Sequence, residues 1–457
     1  MRRGLLLTLV LMFAAPPAAP AGTISLTTVT TDGKNYTEEP VLSFQAAPGE
    51  QNRIVVTRTG AQRPPTVTLH DAGAPVRPGP GCTAVDARTV SCALYYVSID
   101  AGDGDDTVTL QPAGADALSG AALLSGGSGN DVLTCPEPCG GSRLAGGPGD
   151  DLLRGGSADD VLSGDGDGPI ALNIINPLLT EPAGAGNDSL DGGPGHDQLN
   201  FSGRRGAVRV DLAAGTATGA GGEHDRLAGL EDVTGGDGDD LLLGDANDNR
   251  IEGGVGDDRL GGRAGHDDLL GDIGMQEDGH YVFSYTQGPR GADTLHGGAG
   301  DDRLHAGNER GDELSGGPGA DLLENGGAPA RARKVRCGSG RDTVTFGPQG
   351  QLLSDCELLR SENDAMRISL QPQRRAGGRL RFVWACQQTQ GCVMGIGVRA
   401  GAAKLARRRL SLDDGDRSPF VMRPATAARR GRAVEVTIVV PISGSQRPYS
   451  ARWRVVP

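Results

Sequence analysis

The groups best equipped for chemistry in this 457-residue chain are its carboxylates, and they recur on a beat of nine. Residues 235–270 divide into GGDGDDLLL, GDANDNRIE, GGVGDDRLG and GRAGHDDLL. Glycines lead each unit, an acid or amide stands sixth, and a large apolar residue stands eighth. The same frame fits 126–134, 146–154, 155–163, 183–191, 192–200, 288–296, 297–305 and 316–324. Degenerate copies lie at 101–109 and 337–345, and the copy at 306–315 carries one extra residue. The sixth positions are Asp106, Asp131, Asp151, Asp160, Asp188, Asp197, Asp240, Asn249, Asp258, Asp267, Asp293, Asp302, Asp312, Asp321 and Asp342. Two such carboxylates could imitate the acid and base of a glycosidase, but their place in the repeat already accounts for them. Oxygen donors at this density suit the capture of hard cations.

The frame resembles the haemolysin-type (RTX) calcium-binding repeat, GGxGxDxUx with U large and apolar, over residues 99–345 with interruptions. In each unit the first six residues must turn tightly, and glycine supplies positive φ angles that other residues resist. The last three form a short strand with its apolar residue inward. The resemblance implies an all-β fold in which two units complete one coil of a flattened, right-handed, parallel β-roll solenoid. Residues 18 apart then stack. Leu242, Ile251, Leu260 and Leu269 line a thin core, as do Leu133, Leu153, Leu162, Leu190, Leu199, Leu295, Leu304, Leu314 and Leu323. That core is thin, and stacked carboxylates repel along each edge. Multiple Ca2+ ions would resolve both difficulties, because calcium accepts about six to eight oxygens from carboxylates and carbonyls. The resemblance places each ion between turns on one edge, so Asp240 pairs with Asp258 and Asn249 with Asp267. Asn249 departs from the family Asp, which predicts a weaker site. Folding and metal binding are then coupled, and the calcium-free chain is expected to be largely unfolded. The competing reading is a solvated Gly/Asp-rich linker. Linkers, however, do not keep a nine-residue apolar register.

The rest of the chain must position these units. Residues 1–21 read as a Sec-type signal peptide, with Arg2 and Arg3 before an apolar run and Ala19-Pro20-Ala21 before the cleavage point at Gly22. The run is too short for a membrane anchor, and no later segment is expected to span a bilayer. Export makes the eight cysteines readable as disulfides between sequence neighbours: Cys82–Cys92, Cys135–Cys139, Cys337–Cys356 and Cys386–Cys392. Residues 22–98 read as an N-terminal β cap, 99–200 as a first repeat block, 201–234 as a β spacer and 235–345 as a second repeat block. Residues 346–365 read as a closing unit; the stretch 335–359, VRCGSGRDTVTFGPQGQLLSDCELL, resembles a recurrent closing unit of secreted actinobacterial RTX proteins, in which Cys337 and Cys356 would seal the end of the roll. Alternating apolar residues in 366–457 suggest a small β-sandwich-like module. Loops at 165–182 and 272–287 break the register; Tyr281, Phe283 and Tyr285 in the second alternate as in a strand and are expected to pack on the roll.

Charge separates the modules. The chain carries −14 overall, but from Met366 onward 17 Arg and one Lys face four acids, so the tail is +14 and everything before it −28. An anionic cell-envelope component is therefore a possible partner of residues 366–457, against the simpler reading of complementarity with the acidic roll. Nucleic acid is not expected, since the aromatic interleaving suited to single strands is missing. No histidine begins the H-E-x-x-H of a zinc protease, and GGSGN and CGSGR imitate a nucleophile elbow without its flanking glycine. His296 and His305, both ninth in adjacent units, read as solvated. The expected function is a secreted, calcium-binding, non-enzymatic scaffold, structural or adhesive. The alternatives are a secreted hydrolase with RTX repeats and an envelope-binding protein acting through its basic tail.

Overall fold

The computed structural model describes residues 22–31, 37–59, 64–94, 96–112, 122–136, 141–165, 186–219, 221–272, 291–307, 311–324 and 334–346, and beyond them backbone strands between 351 and 455. Side chains are described for 22–25 and, within those segments, for 41–345, together with Cys356. The expected signal peptide, most of both register-breaking loops and the Tyr281, Phe283 and Tyr285 strand lie outside the described residues. So do the side chains of Cys139, Cys386 and Cys392, and with them two of the four expected disulfides.

A strand of three residues can bury one side chain, and this chain builds its core that way. In Leu241–Leu243, Leu322–Glu324 and Ser189–Asp191 only the central residue is fully buried. Successive strands stack in parallel with these central residues in register. Leu242 pairs with Leu260, Leu260 with Leu295 and Leu295 with Leu314 in one sheet. Ile251, Leu269, Leu304, Leu323 and Val344 follow one another in the other. Every leucine and isoleucine expected in the core is buried. The fold is thus an all-β parallel β-roll, and among the described residues there is no helix. The 18-residue stacking interval holds for Asp240 to Asp258 but stretches to 35 and 37 where loops are inserted. Position-two glycines let neighbouring coils approach closely. Gly127 takes φ 103°, and a Cβ on it would overlap the carbonyl oxygen of Gly102 in the coil before.

The flanking modules continue both sheets. Arg53–Thr59 runs parallel to Thr107–Pro112, and Thr37–Gln45 parallel to Tyr96–Asp100, so the N-terminal cap supplies the first strand of each stack. Antiparallel partners then cover those strands: Gly22–Thr31 on one sheet and Thr66–Asp71 on the other. The Cys82–Cys92 disulfide closes a further hairpin. Covering a parallel edge in this way removes unpaired backbone groups that would recruit other chains. At the far end, Gln351–Ser354 and Leu358–Ser361 add one more strand to each stack beside the Cys337–Cys356 disulfide. Residues 366–455 extend both stacks as two antiparallel sheets, joined through Met366–Arg375 and Tyr449–Val455. Among the described strands no pairing joins the two ends of either stack, which finish on Val76–Arg77 and Arg417–Met422 in one sheet and on Cys82–Ala84 and Ala403–Leu412 in the other.

The spacer interrupts only one stack. Arg209–Asp211, Thr216–Thr218 and His224–Ala228 form an antiparallel meander between the strands holding Leu190 and Leu242. The other sheet passes from Gln198–Asn200 through the single strand Asp232–Thr234 to Arg250–Gly254.

Candidate metal centre

Along each edge of the roll, position six forms a ladder. The N–H of one position-six residue donates to Oδ1 of the next coil's position-six residue. On one edge Asp106 donates to Asp131 at 2.8 Å, Asp131 to Asp151 at 2.7 Å and Asp151 to Asp188 at 2.8 Å. After the spacer, Asp240 donates to Asp258 at 2.8 Å, Asp258 to Asp293 at 3.0 Å and Asp293 to Asp312 at 3.1 Å. On the other edge Asp160 donates to Asp197 at 2.7 Å, and Asn249 to Asp267 at 2.9 Å. Asp267, Asp302, Asp321 and Asp342 continue that edge at 3.0 Å per step. The pairs expected across 18 residues, Asp240 with Asp258 and Asn249 with Asp267, are therefore brought together.

Each of these carboxylates uses one oxygen in the ladder. Among the described residues, the second oxygen, Oδ2, is buried without a hydrogen-bond partner in Asp106, Asp131, Asp151, Asp188, Asp197, Asp258, Asp267, Asp293, Asp302 and Asp321. A buried unsatisfied oxygen costs about 1–3 kcal/mol, more if charged, so a row of them signals a missing electropositive partner. Space for it is kept by glycine at position one: a Cβ on Gly126 or Gly146 would overlap Oδ2 of Asp131 or Asp151. Burial, reinforced by neighbouring carboxylates, pushes Asp151 and Asp258 up to about 9 and Asp188 and Asp293 up to about 8. Among the described residues no three His, Cys, Asp or Glu side chains converge on one point. A cation here must therefore complete its shell with backbone carbonyls, which calcium does readily and softer metals do not. The residues present fit calcium.

Three turns differ. At Asp160 and Asp240, Oδ2 accepts the N–H of the residue four earlier, Gly156 at 2.7 Å and Gly236 at 2.8 Å. Asn249 does the same through Oδ1, which accepts Asp245 N–H at 2.8 Å, while its Nδ2 donates to the Glu231 carbonyl at 2.9 Å. In these turns position two is not left-handed, whereas it is at Gly254 (φ 115°) and even at Arg263 (φ 80°). Rotating the turn exchanges a left-handed residue for an inward N–H donor.

The ladder also recruits residues that the nine-residue frame missed. Asn52 N–H donates to Asp106 Oδ1 at 2.6 Å, Asp188 N–H to Asp225 Oδ1 at 3.0 Å and Asp197 N–H to Glu231 Oε2 at 2.9 Å. Their signal was an acid or amide two places before an inward apolar residue, as in Asn52-Arg53-Ile54, a copy of Asn249-Arg250-Ile251. Position five makes a second, exposed ladder, with Asn130 N–H on Asp105 and Asp150 N–H on Asn130. One expectation fails: His305 is buried rather than solvated, and burial lowers it to about 4. Its Nδ1 accepts the Gly307 N–H at 3.1 Å where the chain turns back. His296 is exposed.

Fold and site together define a calcium-binding β-roll. The family model of the RTX calcium-binding nonapeptide repeat (4 copies) matches residues 113–134, 140–168, 183–203, 234–269 and 287–311. These segments are RTX repeats, and they bind several Ca2+ ions. Asp106, Asp312, Asp321 and Asp342 lie outside the matched segments but on the same ladders. No curated protein matches the chain.

Proposed function

We propose that this protein is a secreted, non-enzymatic scaffold, structural or adhesive, whose roll assembles on calcium outside the cell, with the position-six residues as its side-chain ligands. The supporting observation is the row of buried Oδ2 atoms, which have no hydrogen-bond partner among the described residues. When bound, calcium supplies positive charge to both edges at once, so that stacked carboxylates attract a shared ion instead of repelling each other. The Cys82–Cys92 and Cys337–Cys356 disulfides support an oxidising compartment. Among the described residues no helix is long and apolar enough to cross a membrane. Affinity of about 10⁻⁴–10⁻³ M suits an extracellular module.

A calcium titration of the full chain followed by circular dichroism tests this reading. A β signal that grows with Ca2+ and is lost to chelator is the expected result. A signal of equal strength with and without metal would sink it. The charge of +14 from Met366 onward supports an adhesive role toward an anionic envelope. Retention of the full chain on such envelopes should then fall at high salt.

A further inference from the structure

Between the turn carrying Asp188 and the turn carrying Asp225, the roll holds a cation of its own. Residues 220–228 read AGGEHDRLA, a unit with Asp225 sixth and Leu227 eighth, but with Glu223 at position four where glycine is usual. The ladder crosses this junction intact, since Asp188 N–H donates to Asp225 and Leu190 pairs with Leu227. A guanidinium also lies there. Arg204, delivered by the spacer, donates through Nη2 to Asp165 Oδ2 and stands 3.2 Å from Glu223 Oε1. Its side chain is 7 % exposed, and those of both acids 1 %. Burial raises the carboxyls of Asp188 and Asp225, to about 8 and about 6, and the Arg204 charge acts against that rise. The backbone fixes it in place: Arg204 N–H donates to the Phe201 carbonyl at 2.8 Å, and its own carbonyl accepts Asp237 N–H at 2.7 Å. Asp165 is held in turn by Gly186 N–H at 2.8 Å.

We propose that Arg204 is a resident counter-ion that takes the place of one calcium between the Asp188 and Asp225 turns, so that this junction assembles before metal arrives. The proposal rests on the calcium reading of the roll. A guanidinium is always charged and offers five N–H donors in a fixed fork, so it neutralises its acids at any calcium concentration. A buried arginine of this kind is held by its partners, because an unpaired buried charge is far costlier than a paired one. Solenoids can nucleate at any coil and propagate from it. A metal-independent centre thus gives the calcium-dependent coils on either side a folded surface to grow from.

Hydrogen exchange of the full wild-type chain in excess chelator compares Ser189–Asp191 and His224–Ala228 with Arg259–Ala264 and Thr294–Ala299. Slower exchange in the first pair is expected, and equal exchange in both overturns the proposal. Equilibrium dialysis against radioactive calcium then counts bound ions. Arg204→Gln should bind about one more calcium per chain than wild type, and Arg204→Lys the wild-type number. An unchanged count in a folded Arg204→Gln chain overturns the proposal. Should that variant fail to fold even in calcium, the wild-type exchange comparison decides. A wild-type chain that binds no calcium at all overturns the parent reading instead.

Discussion

Residues 235–240 and 253–258, GGDGDD and GGVGDD, differ at one position yet make different turns. In the second, Asp258 leaves Oδ2 buried and unpartnered; in the first, Asp240 spends Oδ2 on Gly236 N–H. Their neighbours explain the contrast. The first turn packs against the spacer, where Asp237 N–H is drawn to the Arg204 carbonyl at 2.7 Å and Gly238 sits against Ala207. The second is stacked between repeat turns on both sides: a Cβ on Gly254 or Gly256 would overlap the carbonyl of Gly236 or Gly238 in the first turn, and one on Gly291 would overlap that of Gly256. A motif therefore supplies the oxygen atoms, and its surroundings decide whether an N–H satisfies them or leaves them open to a cation, as proposed above.

The sharpest way to break this comparison is pH. Burial raises the folded-state carboxyls of Asp151 and Asp258 to about 9 and that of Asp240 to about 6, against about 3.9 in an unfolded chain. Between these values the metal-free folded state binds more protons than the unfolded one, so its stability is present in acid and lost as pH rises through about 6 to 9. In chelator, the β signal should grow as pH falls from 9 to 5. In calcium the order reverses, because protons compete with the ion, and apparent affinity should fall over the same window. A metal-free β signal independent of pH would show that the carboxylates do not oppose folding.

The core should not distinguish the two kinds of turn. Leu242 and Leu260 are both buried, one behind each turn. Leu242→Ala and Leu260→Ala should each cost about 2–5 kcal/mol in the calcium-loaded protein, measured by thermal or denaturant unfolding. A large difference between them would mean that packing, not charge, separates the regions.

A smaller effect isolates the oxygen itself. Asp258→Asn can keep the ladder bond from Asp240 N–H while removing the anionic charge at the unpartnered oxygen. It should weaken calcium binding about tenfold, equivalent to ~1.4 kcal/mol. Asp240→Asn should weaken it less, because that oxygen already accepts an N–H. Equal losses by isothermal titration would erase the distinction. Smallest of all should be Arg263→Gly. Glycine relieves the left-handed strain at φ 80°, worth about 1–2 kcal/mol, but the variant loses the paired bonds from Arg263 to Asp211, both 2.8 Å. The two effects oppose, and the unfolding free energy, measured in denaturant, should change by less than about 1 kcal/mol.

Much of the roll was legible from residue order. The eighth position named the core and the sixth position named the ladder, because a strand of three residues buries only its middle side chain and a tight turn needs glycine at set places. Asn249 was legible as an exception, but its consequence was not: its amide is fully engaged by Asp245 N–H and the Glu231 carbonyl. Asn52, Asp225 and Glu231 escaped the frame because their units lack the usual glycine pattern, although each stands two places before an inward apolar residue. His305 escaped because position nine is exposed in one unit and buried where the next turn closes over it. Local sequence determined the period, the strands, the two ladders and the chemistry of their donors. Only the tertiary structure decided which of those oxygens are already satisfied, since the N–H groups of Gly156, Gly236 and Asp245 reach them only in turns whose second residue is not left-handed, and the order of residues within the repeat does not fix that choice.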